Sequence, residues 1–467
     1  MRKPSLSHIH RFGRNDQFLA LYIPVFIEQV VATLTTMLGT ILVSGVGATA
    51  VSSVGLVDSI NLFIVYTLNA IATAVTVTIA HKIGAQDSRQ AGRLASQSLL
   101  FTAEAAIAIG LALALSGRLL LNSLFRGAEK QVLDAASPYL LISALTLPLQ
   151  AIYATSAGIM RASGNARTPM LATMLANLVY IGVAYLSITQ LGLGVMGAGI
   201  GLFASRLVSC GTVLVVLLKG HGGVILPRFG FRPDFKVLAP MFHIALPVGQ
   251  DSALFNGGKL VVQVFLSAMG TVAMAANAIA NSLFCILELP GVSMSIVCMT
   301  LTGQSYGAGD LNDTKRQMRR FMLLSTAVLT ASSALMLPIL NPLIGLYAPG
   351  AETAILTRRV MLMPMIAAPL LWPSAFVAPY LLRAVGDARY TMRVTLVSMF
   401  VVRLFCSWLF GVYLHWGLNG IWVAMMLDWL VRGTFFVPRM LSSAWQRSRP
   451  SPVNEELPVV QTGAGKV

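Results

Sequence analysis

Long runs of apolar residues follow one another along almost the whole chain, separated by short polar and glycine-rich stretches. A helix needs about 20 such residues to cross the hydrocarbon core of a bilayer. Twelve stretches qualify, at about 18–46, 53–80, 94–117, 137–160, 169–190, 194–218, 237–267, 271–302, 321–346, 359–382, 391–413 and 416–441. The pattern predicts an all-α polytopic membrane protein with twelve transmembrane helices, and it leaves no polar block large enough for a globular domain.

Composition agrees with that prediction. Of the 467 residues, 56% are hydrophobic and 11% are charged, whereas a soluble domain carries roughly 25% charged residues. The four cysteines all lie inside apolar stretches, and no CxxC or His/Cys spacing suggests a zinc site or a disulfide framework. The sequence also lacks a Walker motif, so we expect no cofactor and no direct use of ATP.

The basic residues are distributed unevenly between the two sides of the predicted membrane. The net charge is +16, which could indicate a nucleic-acid partner. Because twelve helices place both termini on one side, 24 of the 33 Lys and Arg residues fall on that side, five on the other, and four within helices: Arg206, Lys259, Arg403 and Arg432. The positive-inside rule therefore predicts that both termini are cytoplasmic, and it explains the charge without nucleic acid.

The second half of the chain repeats the first. A shift of 223 residues aligns 23–25 with 246–248, Glu28 with Asp251 and 84–87 with 307–310, and a shift of 222 aligns 161–167 with 383–389. Because each half has six helices, both halves enter the membrane in the same direction, so we predict two parallel six-helix lobes around a central cleft.

These patterns divide the chain into five regions. The linker between the halves is basic and is broken by glycine and proline, and the C-terminal residues are polar and rich in Ser, Pro and Gly. We predict a cytoplasmic N-terminal segment at 1–17, an N-lobe at 18–218, a cytoplasmic linker at 219–236, a C-lobe at 237–441 and a disordered cytoplasmic tail at 442–467.

Two lobes around a cleft are typical of transporters that work by alternating access, in which a midplane site opens to each side in turn. A channel is the alternative from another functional class. Channels carry filter-like backbone loops or rings of like charge, and the sequence shows neither pattern. A membrane-embedded enzyme is disfavoured as well, because no metal-ligand spacing or Ser/Lys dyad falls at bilayer depth.

Four segments carry a family resemblance. The runs 79–87 and 303–310 each follow the second helix of a half, and 161–165 and 383–387 each follow the fourth. With the repeat, they resemble the multidrug and toxic compound extrusion (MATE) family over about residues 15–441. The resemblance implies a secondary active antiporter of the bacterial inner membrane, not an enzyme, that exports organic, cationic amphipathic compounds in exchange for H+ or Na+. We expect small-molecule substrates, the lipid bilayer as the surroundings, and a monomer.

The resemblance leaves one alternative function. The same superfamily includes flippases and exporters of lipid-linked or specific metabolite substrates, for which a cleft rich in inward-facing arginines is expected. Arg206 and Arg403 are too few to favour it.

The sequence also departs from the family pattern. Many relatives carry an intramembrane Asp where this chain has Gly39, and Tyr180 and Ala184 stand where relatives often have Asn and Asp, so the resemblance leaves open whether the familiar N-lobe cation site works here.

Acidic residues within the helices are the candidates for cation coupling. An ionisable side chain at bilayer depth costs at least about 2.5–3.5 kcal/mol, so each needs a partner, water or a function. Glu28 and Asp251 occupy equivalent positions four residues after a proline, and Asp58 is the third candidate. Each acid also has a structural alternative. Glu28 and Asp251 could bond to backbone groups that the prolines leave free, and Asp251 could be neutralised by Lys259. Asp58 could lie at the outer mouth of the cleft.

The remaining acids have structural interpretations. Asp428 and Arg432 are one helical turn apart, which is typical of an ion pair. Glu288 precedes Pro290 and either caps a kink or contacts substrate.

Flexible, aromatic and amide side chains suit a cleft that adapts to different ligands. The candidates for lining the cleft are Phe63, Tyr66, Asn69, Met174, Asn177, Tyr180, Phe255, Asn256, Lys259 and Met294.

The repeated motifs after the second helix of each half have a structural interpretation. Gly84, Gly307 and Gly309 allow the chain to turn sharply, and Asp87 and Asp310 are placed to cap the following helices. We therefore expect no substrate at these loops.

Overall fold

The computed structural model describes residues 14–125, 129–220, 223–227 and 233–448. These residues form twelve long helices and contain no strand. The helices are α1 Arg14–Ser44, α2 Ala48–Gly84, α3 Ser88–Leu124, α4 Lys130–Ala162, α5 Arg167–Gln190, α6 Gly194–Leu218, α7 Phe235–Ser267, α8 Thr271–Gly307, α9 Leu311–Gly345, α10 Ala351–Ala384, α11 Ala388–Tyr413 and α12 Gly417–Leu441. The predicted all-α membrane fold is confirmed.

Eleven of these helices are long and apolar enough to cross a membrane by length and composition. The exception is α7, which spans 33 residues and is therefore long enough. It carries Gln250, Asp251, Asn256 and Lys259 within 10 residues of one another, which lowers its mean hydropathy. Because α7 is the repeat equivalent of the membrane-length helix α1, we expect its polar residues to lie at the depth of the hydrocarbon core, where they need partners or a cavity.

The two lobes, α1–α6 and α7–α12, are built alike. In the first lobe α1 packs against α5 and α2 against α4, and in the second α7 packs against α11 and α8 against α10. Across the interface α2 packs on α7 and α8 packs on α1. The equivalent residues Gly84 and Gly307 lie at the same end of the bundle, each against the other lobe. The halves are therefore parallel repeats, as predicted.

We call the end of the bundle where α2, α4, α8 and α10 terminate the basic end. There the lobes are joined by two reciprocal hydrogen bonds. His81 Nε2 donates to the carbonyl oxygen of Ala384 at 2.6 Å, and Gln304 Nε2 donates to that of Ala162 at 2.7 Å. His81 and Gln304 are repeat equivalents, as are the two alanines. The bundle is thus closed at the basic end by a pseudo-symmetric pair of contacts.

The glycines of the repeated motifs serve a different purpose from the one predicted. Gly84 and Gly307 end their helices without a left-handed backbone, and a Cβ atom on either would overlap the backbone of the other lobe, at the carbonyl oxygen of Gln304 or of His81. They are needed for close approach of the lobes. Only Gly309, with φ of +79°, supports the predicted sharp turn.

The predicted caps are present. Asp87 Oδ1 accepts a hydrogen bond from the backbone N–H of Gln90 at 2.9 Å, and Asp310 Oδ1 accepts one from that of Asp313 at 2.8 Å. Each aspartate thereby satisfies one of the backbone donors that a helix start leaves free. The α3 and α9 starts are therefore fixed in the same way in both lobes.

The first residues of the predicted C-terminal tail are folded. Residues Ala444–Ser448 form a short 3-10 helix, and Trp445 is fully buried in the second lobe. Its indole Nε1 donates to the carbonyl oxygen of Met440 at 3.1 Å, and its ring lies 6.0 Å from that of Tyr306. A buried tryptophan anchors this segment to the lobe. Residues 449–467 and 1–13 of the predicted termini lie outside the described residues.

Candidate functional site

The first lobe encloses a large cavity. Its volume is about 960 Å³, and its walls come mostly from α1, α2, α4, α5 and α6, with a few residues of the second lobe. It extends along α1 from Glu28 past Gly39 to Val43. Since a helix rises 1.5 Å per residue, the cavity is at least about 20 Å long. Six of the predicted site residues line it: Glu28, Asp58, Tyr66, Asn69, Asn177 and Tyr180.

Glu28 lies at the inner end of this cavity and is held by two side chains. Arg161, at the end of α4, approaches it with Nη1 3.5 Å from Oε2, and the side chains of Arg161 and Glu28 are 14% and 7% exposed. The hydroxyl of Tyr153 donates to Oε1 at 3.1 Å. These contacts are to side chains rather than to backbone freed by Pro24. The carboxylate therefore belongs to a buried ion pair that faces the cavity.

The second lobe repeats this arrangement. Asp251 forms a short ion pair with Arg383, and both side chains are at least nine-tenths buried. Arg161 and Arg383 are equivalent in the sequence repeat, as are Glu28 and Asp251. Asp251 is paired with Arg383, at the end of the fourth helix of its lobe, and not with Lys259, which the sequence offers as an alternative partner. The same ion pair has been kept in both halves.

Asp58 lies towards the other end of the cavity, and none of the described residues forms an ion pair with it. Its carboxylate is close to the phenol of Tyr139 and the amide of Asn61. Tyr180 lies nearby and fills the space beside Gly39, where an added Cβ would stand 2.7 Å from the phenol oxygen. An acid at position 39 would collide with this ring, so the two departures from the family pattern depend on each other.

Several polar atoms of the cavity wall lack a partner within the described part of the protein. They are Asn61 Oδ1, Gln150 Oε1 and Asn177 Nδ2, all buried. Arg206 also lines the cavity, close to Tyr139, and no carboxylate of the described residues lies within ion-pair distance of it. A buried polar atom without a partner costs about 1–3 kcal/mol. Water or a polar ligand bound here would therefore be favoured.

A cluster of cations occupies the second lobe. The ring of Phe255 lies 4.8 Å from Lys259 Nζ, 4.9 Å from the Arg432 guanidinium and 5.9 Å from that of Arg403. Asp428 Oδ1 accepts from Arg432 Nε at 3.0 Å, and Asp428 Oδ2 lies 3.7 Å from Arg403 Nη1. The predicted ion pair between Asp428 and Arg432 is confirmed. The Asp428 carboxylate thus forms ion pairs with two guanidinium groups. Lys259 has no ion-pair partner among the described residues.

Comparison with known proteins identifies the family. A family model described as MatE matches residues 24–186 and, a second time, residues 247–409. The chain belongs to the MatE family. The two matches are offset by 223 residues (247 − 24), which is the repeat seen in the sequence. Proteins of this family are transporters, so this MatE protein is a transporter and not an enzyme.

Curated relatives and solved structures agree with that assignment. This MatE protein is 23% identical over 426 residues to the uncharacterized transporter YisQ of Bacillus subtilis, covering 90% of this chain and 93% of that one. It is 24% identical over 441 residues to a probable multidrug resistance protein NorM of Thermotoga maritima, covering 92% and 93%. A structure described as the outward-facing conformation of a multidrug resistance MATE family transporter superposes with a TM-score of 0.88, at 20% identity and 96% and 100% coverage.

Some predicted cleft residues of this MatE protein lie elsewhere. Met294 is fully buried in the core of the second lobe, so its prediction as a liner is wrong. Asn256 is 8% exposed and donates to the carbonyl oxygen of Ser252 in its own helix at 2.8 Å. Phe63 and Met174 are not among the residues that line the first-lobe cavity. The direction of these side chains depends on how each helix is rotated within its lobe, which the sequence pattern does not show.

Sequence reasoning also missed functional candidates. Arg161, Arg383 and Tyr153 contact the two repeated acids, whereas the sequence patterns indicate only a topological role and a family motif for the two arginines. The repeat contained the signal, because it preserves an acid in the first helix and an arginine after the fourth in both halves. Glu288, for which the sequence leaves a kink cap and a substrate contact as alternatives, accepts a hydrogen bond from Trp372 Nε1 at 3.1 Å, which links α8 to α10.

Proposed function

We propose that this MatE protein is a secondary active antiporter that exports organic, cationic amphipathic compounds in exchange for H+ or Na+. It works by alternating access as a monomer in the bacterial inner membrane, with the basic end and both termini in the cytoplasm. It uses no cofactor other than the coupling ion. The names of relatives such as NorM, a probable multidrug resistance protein, support multidrug efflux.

The observation that carries the substrate class is the setting of Asp58. This carboxylate lines the cavity, and within the described residues no cation pairs with it. Tyr66, Tyr139 and Tyr180 line the same cavity. A carboxylate among aromatic rings attracts an organic cation by charge and by cation–π contact, while the rings accept its apolar part. Asp58 is therefore the group we assign to the positive charge of the substrate.

The coupling ion is assigned to the two repeated acids. Glu28 and Asp251 each hold an arginine, and protonation of the carboxylate or binding of Na+ would release it. Arg161 and Arg383 lie within one residue of Ala162 and Ala384, whose carbonyl oxygens accept the bonds that close the basic end. An arginine released from its carboxylate would therefore move directly beside the hydrogen bond that must break before the basic end can open.

The test uses the purified full chain in proteoliposomes, with tetraphenylphosphonium as the cationic probe. We expect its movement against an imposed proton or sodium gradient, and we expect Asp58→Asn to raise the probe concentration needed for half-maximal rate about tenfold or more, since a bond to a charged group contributes roughly 1.5–3 kcal/mol. Glu104→Gln, an exposed helix acid that does not line the cavity, is the control. The proposal would be refuted if the movement of the probe did not depend on either gradient. It would also be refuted if Asp58→Asn left the probe concentration for half-maximal rate unchanged.

A second candidate is an exporter or flippase of an anionic, lipid-linked or specific metabolite. The cation cluster of the second lobe favours it, because Lys259 has no ion-pair partner in the described part of the chain. Lys259 lies near Glu288, which also lies near Tyr66 of the first lobe, so the cluster borders the space between the lobes. If an anionic probe such as anilinonaphthalene sulfonate is exported, tetraphenylphosphonium is not, and Lys259→Gln removes the anion transport, this candidate replaces the first.

A further inference from the structure

A groove separate from the first-lobe cavity opens at the basic end between α7 and α11. Its volume is about 510 Å³. It is lined on the α7 side by apolar, aromatic and polar residues and on the α11 side by two arginines and a methionine: Phe235, Ala239, Phe242, His243, Leu246, Pro247, Gln250, Arg389, Met392 and Arg393. Neither the transport proposal nor the family match assigns a role to these residues.

Three aromatic rings give the groove a firm apolar wall. Phe242 packs edge-on against Phe101 of α3, with ring centroids 5.0 Å apart, and Phe235 stacks on Phe242 at 6.3 Å. Phe235 itself is 63% exposed at the start of α7. A ring held in place by two others but left uncovered is a surface that an apolar group can occupy without reorganising the wall.

The charged groups of the groove are all basic. Arg389 and Arg393 are both exposed, and Arg389 Nη2 donates to Nδ1 of His243 at 3.1 Å. No Asp or Glu is among the residues that line the groove. Arg389 is thereby oriented towards α7 while its remaining donors stay free to bind an anion with several oxygens.

The three acids nearest in sequence to the groove residues pair with arginines outside the groove. Asp234, before α7, pairs with Arg93 of α3 at 2.8 Å, and Asp387, before α11, pairs with Arg439 of α12 at 2.8 Å. Asp251, which follows Gln250, pairs with Arg383. None of the three acids lines the groove. The positive charge of the groove is therefore not neutralised by these acids.

The arginines continue into an apolar stripe that faces outwards. On α11, Arg389, Arg393 and Val397 follow one another at intervals of four residues, so each lies beside the next on the helix surface. Val401 lies one wider turn further on, in the π-helical segment Ser398–Leu404. Val397 is 53% exposed and Val401 is 61% exposed, and Leu246 on α7 is 63% exposed. Within a membrane these residues contact acyl chains. Basic groups at the bundle end and apolar groups deeper along the same face match the polarity of a lipid molecule.

We propose that this groove binds one anionic phospholipid of the leaflet at the basic end. Arg389 and Arg393 hold the phosphate, the glycerol region rests against Phe235 and Phe242, and the chains run along the exposed stripe of α11. The volume of the groove suits a headgroup and glycerol rather than a whole lipid, so the chains lie outside it. Basic pockets between helices at a membrane surface have the charge that such headgroups require.

The sequence repeat provides an internal comparison. In the first lobe, Arg167 corresponds to Arg389, but Leu171 replaces Arg393 and Ala20 replaces His243. The first lobe thus keeps one of the three basic groups. The lipid site is accordingly a feature of the second lobe, and Arg167 provides a matched control for removing one exposed arginine at the same helix position.

The test is native mass spectrometry of the full chain, released from vesicles of phosphatidylcholine with a minor fraction of phosphatidylglycerol. We expect one phosphatidylglycerol to be retained. Since each basic residue near a membrane contributes a factor of about five, the double variant Arg389→Gln, Arg393→Gln should lower its retention about 25-fold. The double variant with Lys at both positions keeps the charge and should retain most of the lipid.

Controls separate the possible origins of the signal. Arg167→Gln should leave retention unchanged, and added glycerol 3-phosphate should not displace the lipid, because the acyl chains contribute to binding. Equal retention of phosphatidylglycerol by the wild type and the double Gln variant would overturn the proposal. So would equal retention of phosphatidylcholine, the same loss in Arg167→Gln, or displacement by glycerol 3-phosphate, which would indicate a site for a free phosphate compound.

Discussion

A carboxylate in a membrane-spanning helix is stable only if a partner or water compensates its charge. In this MatE protein Glu28 and Asp251 are compensated by arginines of the same lobe, whereas Asp58 borders the cavity without an ion-pair partner among the described residues. The two kinds of acid therefore suit different tasks. A paired acid can exchange its arginine for a coupling cation, and an unpaired one can attract a charged substrate.

The first prediction concerns Glu28. Glu28→Gln keeps the shape of the side chain and its bond to Tyr153, but it removes the charge that a proton or Na+ would bind. We expect gradient-driven export to fall at least about tenfold while binding of tetraphenylphosphonium changes little, because Asp58 is intact. Flux measurements and equilibrium binding on the same purified protein separate these two effects.

Asp251→Asn should impair coupling as well, but it leaves Arg383 buried without its partner, so expression is expected to suffer. The double variant Asp251→Asn, Arg383→Gln removes both charges and controls for this. Were Glu28→Gln and the double variant to transport at wild-type rates with unchanged pH and sodium dependence, the coupling assignment would be wrong.

The second prediction concerns the stability of the second lobe. Asp428 is fully buried and forms ion pairs with both Arg403 and Arg432. Because Asp428→Asn leaves two guanidiniums uncompensated, we expect a loss of about 3–5 kcal/mol, seen as a lower melting temperature in detergent. Asp134→Asn breaks the exposed pair with Arg118 and should have little effect. Similar melting temperatures for both variants would contradict this view of the cluster.

At the scale of helices, the ends of α2 and α8 control how closely the lobes approach. The two glycines and the two reciprocal hydrogen bonds occupy equivalent positions, so each lobe presents the same surface to the other. Closing the basic end needs direct contact between backbones, which only a residue without Cβ permits. The motif is thus a contact surface between lobes as well as a loop.

The third prediction follows from this contact. In Gly307→Ala the new methyl group overlaps the backbone of His81, so the basic end cannot close fully. We expect slower transport and longer distances between spin labels at Ser88 and Asn312, measured by double electron–electron resonance on a protein without native cysteines. Gly345→Ala, which meets no atom within 4 Å, is the control. Unchanged distances in Gly307→Ala would show that the contact does not limit closure.

At the scale of the whole molecule, the lobes enclose a cavity that reaches Glu28 on its inner side and lie in direct contact at the basic end. In the alternating-access cycle that we propose, this combination corresponds to the state in which the basic end is shut. The state with the basic end open can be reached if the two lobes, which are parallel repeats, tilt relative to each other about the axis that relates them. The two hydrogen bonds at the basic end are accompanied by apolar packing between α2 and α7, so opening that end requires both kinds of contact to separate.

The fourth prediction fixes the direction of that cycle. With 24 basic residues on the side of the termini and five on the other, the positive-inside rule predicts that the basic end faces the cytoplasm. A cysteine at Lys219 should react with a membrane-impermeant maleimide only after cells are opened. A cysteine at Glu129 should react in intact cells. The reverse pattern would invert the orientation and with it the proposed direction of transport.

The sequence by itself determined the helices, the repeat and the family. Hydrophobic length is a local property, because a bilayer sets how many apolar residues a span requires. The repeat needs only comparison of the chain with itself, so it paired Glu28 with Asp251 and predicted parallel lobes before any coordinates. The prediction that Asp428 and Arg432 form an ion pair succeeded for the same reason, since four residues along one helix are neighbours in space.

Only the tertiary structure decided which side chains face one another across helices. Glu28 and Arg161 are 133 residues apart, and no local pattern brings them together. Whether Met294 lines a cleft or fills the core depends on the rotation of α8 within its lobe, which neighbouring helices set. The space beside Gly39, Gly84 and Gly307 is likewise occupied by residues of other helices. Long-range packing fixes these relations, and it is a property of the assembled lobes rather than of any segment.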